Sequence, residues 1–234
     1  MKRKMAIVFG VLVVSIVLVS VGIIFLDSKN PERVDDIGGK FNAVLKYWSD
    51  NRTTIEYVDE TGKHVGDYFV SMKDSLDWIK VNTPEDSLFL CWWDYGHMIK
   101  GYAERNVVVR DPSEQILESV TNAEEITQIE SHETIVDVAT AFSTTDSTKT
   151  LQIMETYDAS YIVVNEIETQ KAFWIFQIAG LNTTEYAYEY WPPGQSAFTD
   201  KAKETMLARL VENRETNPFS LVYSDETIKV YEIK

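Results

Sequence analysis

Trp92-Trp93-Asp94-Tyr95-Gly96 is the stretch of this chain whose residue types and spacing could do specific chemistry. An indole N–H only donates a hydrogen bond, and a carboxylate only accepts one. Two Trp donors followed by one Asp acceptor match a group with one proton and two lone pairs, such as a Ser or Thr hydroxyl. Trp92, Trp93 and Asp94 could together satisfy one buried hydroxyl. A partner lacking it would strand them at a cost of about 1–3 kcal/mol per group, which is a means of discrimination. The competing reading is packing: two adjacent tryptophans after a strand can fill the two sides of a core and touch no ligand.

Other chemistry-bearing residues form weaker patterns. His64, His97 and His132 are scattered and Cys91 is the one cysteine, so neither zinc-type spacing nor an internal disulfide is available. His97, next to Gly96, reads as a surface residue, with a polar contact at the site as the alternative. Tyr186, Tyr188, Tyr190 and Trp191 precede Pro192-Pro193-Gly194. They read as a strand and turn packed on the core, and alternatively as a ridge for sugar rings or a membrane interface. Asn51-Arg52-Thr53 and Asn182-Thr183-Thr184 are N-glycosylation acceptor patterns, which suggest a glycosylation substrate and carry no evidence of enzyme activity.

Alternating elements must position these residues. Residues 27–40 are charged, with Pro31 and Gly38-Gly39, and read as a linker. Thr53 to Phe69 reads as a strand pair turning near Glu60-Thr61-Gly62. From residue 70 helix and strand alternate. An amphipathic stretch, Met72–Val81, is broken at Thr83-Pro84, and short apolar strands are predicted at 87–91, 107–109 and 161–164. Asp111-Pro112-Ser113-Glu114 has the form of a helix start with a capping Asp. Helical patterns run from there to about 142, then over 146–157, 170–178 and 200–213, and 219–223 with 228–233 reads as a terminal hairpin. The implied fold class is α/β: a mixed, partly parallel sheet with flanking helices and edge hairpins.

The Trp92–Gly96 run resembles the signature motif of the catalytic subunits of oligosaccharyltransferases. The order of landmarks around it is similar to that family's over about residues 70–165: Leu76-Asp77-Trp78-Ile79, Asn82-Thr83-Pro84-Glu85-Asp86, Arg105 and Asp111. The resemblance implies that Trp92, Trp93, Asp94, Tyr95 and Gly96 bind the +2 Ser/Thr of an Asn-X-Ser/Thr acceptor. Archaeal and eukaryotic members carry a second motif, Asp-x-x-Lys-x-x-x-Ile/Met, on a nearby helix. Asp146, Lys149 and Ile153 have that spacing, and offsets of three and seven put them within ~60° on one helix face. The resemblance implies that Asp146 and Lys149 shape the pocket and that Ile153 meets the threonine methyl. The ordinary reading of the same residues is a capping Asp and a solvated Lys. His97 and Met98 depart from the aromatics that the family often has after the motif's Gly.

Composition bounds the remainder. Met5 to Leu26 carries no charge and follows Lys2-Arg3-Lys4. A helix of ~20 apolar residues spans a bilayer, and the flanking charges place the N-terminus in the cytoplasm. The reading is a cell-membrane anchor (residues 1–26) carrying an extracytoplasmic globular domain (41–234), in preference to a cleaved signal peptide. The formal net charge of -15 disfavours a nucleic-acid partner. In the family, catalysis resides in a multi-span membrane domain that supplies a catalytic Asp, an Asp-x-Asp metal site for Mn or Mg, and the site for the lipid-linked oligosaccharide. This chain has one apolar span and no Asp-x-Asp, so no cofactor is expected in it and it is not expected to act alone. Two readings follow. One is a membrane-anchored sequon-recognising part of an auxiliary or split oligosaccharyltransferase, partnered by acceptor peptides and a separate multi-span catalytic subunit. The other is a non-catalytic paralogue serving as a surface or assembly protein.

Overall fold

A computed structural model describes residues 31–49, 52–122, 134–190 and 195–234. The apolar run Met5–Leu26 lies outside them. Among the described residues no helix is long and apolar enough to cross a membrane.

The chain first builds an antiparallel meander of β1 (Arg33–Gly38), β2 (Ala43–Ser49), β3 (Arg52–Asp59) and β4 (Gly62–Asp67). The β3–β4 turn falls where the sequence places it. Residues 33–38, read as linker, are instead a strand. The charges of Arg33, Asp35 and Asp36 suggested a linker, but β1 is an edge strand, where charged side chains reach water and discourage further pairing. β2 buries Ala43 and Leu45 in alternation, the period of a strand with one covered face.

A second sheet holds β5 (Leu88–Leu90), β6 (Asn106–Val107), β7 (Tyr161–Asn165), β10 (Phe219–Ser224) and β11 (Ile228–Ile233), in the order β10-β11-β7-β5-β6. β5 runs parallel to both β6 and β7, and the β10–β11 hairpin joins β7 antiparallel. The partly parallel α/β sheet with an edge hairpin is thus as predicted. β7 is buried along its whole length, which is why it reads as the unbroken run Tyr-Ile-Val-Val. A small hairpin, β8 (Ala187–Tyr190) with β9 (Gln195–Phe198), stands apart.

The helices are α1 (Lys73–Asn82), α2 (Trp93–Gly101), α3 (Glu114–Asn122), α4 (Thr134–Ser143), α5 (Ser147–Thr156), α6 (Glu168–Ile178), α7 (Thr183–Tyr186) and α8 (Met206–Val211). α6 packs on α4 and β9, α5 on α4, and α8 on α4 and β7. α2 lies against β3 and β4, so the meander is the bed on which the helix opening with the Trp-Trp-Asp run rests. At α3 the cap is Ser113, whose hydroxyl accepts from the Ile116 N–H at 3.4 Å, and not Asp111. The Asp111 carboxylate has a different partner, His97.

Candidate functional site

The site begins at the carboxyl end of β5. The chain leaves the sheet at Cys91, Trp92 is extended (φ -68°, ψ 147°), and α2 starts at Trp93. Because β5 and β7 are parallel neighbours, the segments that follow them emerge at the same carboxyl end of the sheet, where open α/β sheets bind ligands. Asp94 on α2 and Lys171 on α6 meet there.

The Asp94 side chain is almost wholly buried, and its Oδ2 is ion-paired with Lys171 Nζ. The same ammonium donates to the Tyr95 hydroxyl at 3.0 Å and lies 4.7 Å from the Tyr95 ring centroid. Burial pushes the Tyr95 phenol well above its ordinary pKa, so it stays neutral. Trp92 and Trp93 stack obliquely, with ring centroids 4.4 Å apart, and both are buried. Among the described residues eight buried side-chain polar atoms lack a hydrogen-bond partner, and two of them belong to this run: Trp93 Nε1, a donor, and Asp94 Oδ1, an acceptor; Asp67 Oδ2 and Glu168 Oε1 are two others. Gly96 lets the helix approach the chain after β6. A Cβ there would lie 2.5 Å from the Val109 carbonyl oxygen and 2.8 Å from Arg110 Cα.

Of the residues singled out in the sequence, the structure brings together Trp92 to Gly96. Asp146 is the cap of α5: exposed, with its carboxylate accepting from the Thr148 N–H at 2.9 Å. Lys149 is exposed, and Ile153 is buried. The cation that reaches Asp94 is Lys171. It lies three residues after Glu168 and four before Ile175, the same offsets of three and seven, with Glu at the first position. Glu168 and Ile175 are both fully buried. The Glu168 Oε2 accepts from the Asn165 N–H at 2.6 Å, and burial pushes its pKa up to about 7. The signal for this second set was present in the sequence. Glu166-Ile167-Glu168 reads as a loop between a strand and a helix, and Glu168 proves to be the first residue of that helix.

Of two further groups, Asp67 has no sequence signal and His97 reads as a surface residue. Asp67, at the end of β4, has a carboxyl that burial and the nearby Asp94 charge push up to about 7. His97, read as a surface residue, is buried. Its Nδ1 shares a hydrogen bond with the Tyr57 hydroxyl at 3.1 Å, and its Nε2 one with Asp111 Oδ1 at 2.8 Å. Tyr57 also accepts from Arg110 at 3.4 Å, and Arg110 pairs with the buried Asp59 at 2.6 Å. Gly66 on β4 faces the His97 ring so closely that a Cβ would stand 2.3 Å from its Cγ. This network fastens the meander to α2, one helical turn from Asp94. Arg105 does comparable work at α1. Its buried guanidinium donates to the carbonyls of Lys80, Thr83 and Ala103 at 2.6, 2.7 and 3.1 Å, and to Thr83 Oγ1 at 3.0 Å. Among the described residues no group of three His, Cys, Asp or Glu is placed to hold a metal ion.

No family model matches the chain. It is 26% identical over 166 residues, 67% of its length, to the dolichyl-diphosphooligosaccharide–protein glycosyltransferase subunit STT3 of Dictyostelium discoideum, and matches 21% of that protein. Over 43 residues, 18% of this chain, it is 51% identical to the dolichyl-phosphooligosaccharide-protein glycotransferase of Methanocaldococcus jannaschii, matching 4% of it. The chain thus corresponds to about a fifth or less of these relatives' length. Among solved structures, the C-terminal globular domain of an Archaeoglobus fulgidus oligosaccharyltransferase superposes with a TM-score of 0.53 at 23% identity, covering 71% of this chain and 99% of that one. In sequence this chain is therefore similar to oligosaccharyltransferase subunits, and in fold to their C-terminal globular domain.

Proposed function

We propose that the Trp93–Asp94 site at the end of β5 binds the side-chain hydroxyl of the +2 residue in Asn-X-Ser/Thr acceptors, and that the chain serves N-glycosylation as a recognition domain. The observation that carries this reading is the orphaned pair, Trp93 Nε1 and Asp94 Oδ1. Buried polar groups are rarely left unpaired, because each costs about 1–3 kcal/mol. A hydroxyl accepting from the Trp93 indole and donating to Asp94 Oδ1 satisfies both. Lys171 leaves this geometry intact because it occupies the other carboxylate oxygen. It fixes the Asp94 rotamer and presents Oδ1 to the acceptor. Trp92 supports the wall of the pocket through its stack with Trp93.

In this reading Glu168, Lys171 and Ile175 take the part that the resemblance assigns to the Asp-x-x-Lys-x-x-x-Ile motif. Asp146, Lys149 and Ile153 serve α5 itself. Recognition alone does not transfer a glycan: the acceptor amide is a poor nucleophile and needs an activated sugar phosphate. The reading requires a multi-span membrane part to supply the reaction, with the apolar segment Met5–Leu26 holding the domain beside it.

The test is a titration of the full chain, ¹⁵N-labelled at tryptophan and held in detergent micelles, with an Asn-Ala-Thr peptide and its Asn-Ala-Ala control. The indole N–H resonance of Trp93 shifts with the first peptide and not with the second, and the shift disappears in Asp94→Ala. Equal responses to the two peptides, or none at millimolar concentration, refute the reading. They would favour the alternative in which the buried Trp pair is packing and the domain is a surface or assembly module.

A further inference from the structure

Two acceptor patterns in the chain are unused by the pocket, and the structure treats their hydroxyl residues oppositely. Asn182, which precedes α7, and Thr184, in its single turn, are both exposed. Thr53 is buried within β3: it pairs with Tyr47 on β2, and its carbonyl accepts from the Tyr68 N–H at 2.9 Å. An acceptor segment must present both the Asn amide and the +2 hydroxyl to a transferase, so both must leave the surface of their own domain.

We propose that Asn182 is an N-glycosylation acceptor of this chain, and that the fold directs modification to Asn182 and away from Asn51. The inference rests on the reading that the domain is extracytoplasmic. The bonds that hold the segment are few and wet. The Thr184 hydroxyl donates to Asn182 Oδ1 at 2.9 Å, Asn182 Nδ2 donates to Glu185 Oε1 at 3.1 Å, and the Glu185 N–H donates to the Asn182 carbonyl at 3.0 Å. Exposed bonds of this kind exchange readily with water, and a single turn opens far below the cost of global unfolding. The anchor comes only afterwards: the Thr199 hydroxyl donates to the Glu185 carbonyl at 2.7 Å, and the Tyr186 ring packs 5.2 Å from Phe176. Residues 182–184 can therefore extend into a transferase while 186 onward stays docked. By contrast, presenting Thr53 means opening β3, the strand between β2 and β4.

The chemistry is a substitution at the anomeric carbon of an isoprenoid-phosphate-linked oligosaccharide. A bond forms between Asn182 Nδ2 and that carbon. The carbon–oxygen bond to the lipid phosphate breaks, and the phosphate leaves with its electron pair. The amide proton passes to a base of the transferase. Nothing is oxidised or reduced. Lys171 precedes the end of α6 by seven residues, about 10 Å of helix, so a glycan at Asn182 sits beyond the far end of α6 from the pocket.

The full chain, extended after Lys234 by a reference Asn-Ala-Thr segment, is expressed in cells that glycosylate exported proteins and analysed by glycopeptide mass spectrometry. The expected result is glycan on Asn182 and on the reference segment, with none on Asn51. It is lost from position 182 in Asn182→Gln and in Thr184→Ala, and kept in Thr184→Ser. A modified reference segment beside a bare Asn182 overturns the proposal, as does glycan on Asn51. If the reference segment is bare as well, the extracytoplasmic reading fails and the proposal falls with it.

Discussion

Gly66→Ala tests whether the meander truly supports the Trp-Trp-Asp helix. The added Cβ would stand 2.3 Å from His97 Cγ and 2.4 Å from its Cβ and Cδ2. Carbon atoms pack at ~3.5–4.0 Å, so β4 and α2 must part by more than an ångström, or His97 must swing away. These atoms lie at the root of the ring and not at a flexible tip, so the side chain cannot simply bend aside. Either response breaks the 3.1 Å bond to Tyr57 and the 2.8 Å bond to Asp111. Overpacking of this kind costs ~1–3 kcal/mol, and each lost hydrogen bond adds ~1 kcal/mol. The expected destabilisation is about 3–5 kcal/mol, read as a lower denaturation midpoint at unchanged slope. Gly66 does not have a positive φ, so alanine introduces no backbone strain there and the clash is isolated. If the clash is with His97, then Gly66→Ala combined with His97→Ala costs less than the sum of the two single changes. A single-variant loss below ~0.5 kcal/mol, or strict additivity in the double variant, refutes the account.

Three more outcomes follow from the same geometry. Lys171→Met leaves the Asp94 carboxylate buried without its cation and costs ~3–5 kcal/mol in equilibrium unfolding; adding Asp94→Asn recovers part of it, and additive losses would refute the pairing. Glu168 has its pKa raised by burial to about 7 in the folded chain from 4.5 unfolded. Its contribution is fully favourable below pH 4.5 and is lost as pH rises to 7, because the unfolded state sheds the proton first. Glu168→Gln therefore gains on the wild type over that window, by roughly 3 kcal/mol at most, in unfolding curves taken at a series of pH values; parallel curves refute this. Arg105→Lys cannot reproduce a planar fork on three carbonyls and a hydroxyl, and a loss of ~2 kcal/mol lowers Tm by about 4–8 °C in a calorimetric scan.

How far the sequence could be read depended on whether a residue's role was local. Strand β7 and the β10–β11 hairpin are set by neighbouring residues, and their apolar runs and turn residues announce them. β1 was hidden because an edge strand tolerates the charges that also mark a linker. His97 was hidden because its burial comes from Gly66, thirty-one positions earlier, which has no side chain to signal the contact. The pair of lysines is the sharper case. Lys149 and Lys171 stand in the same three-and-seven spacing, and helical periodicity cannot choose between them, since both sets lie on real helices. What decides is a long-range fact. β7 pairs parallel with β5, so the helix that follows β7 opens at the carboxyl end of the sheet where β5 delivers Asp94. α5 instead spends its acidic residue on its own first turn. The short spacing pattern is thus ambiguous until strand order is known. Once it is known, the ammonium that reaches the buried Asp94 carboxylate is seen to be that of Lys171, a pairing Coulomb attraction favours.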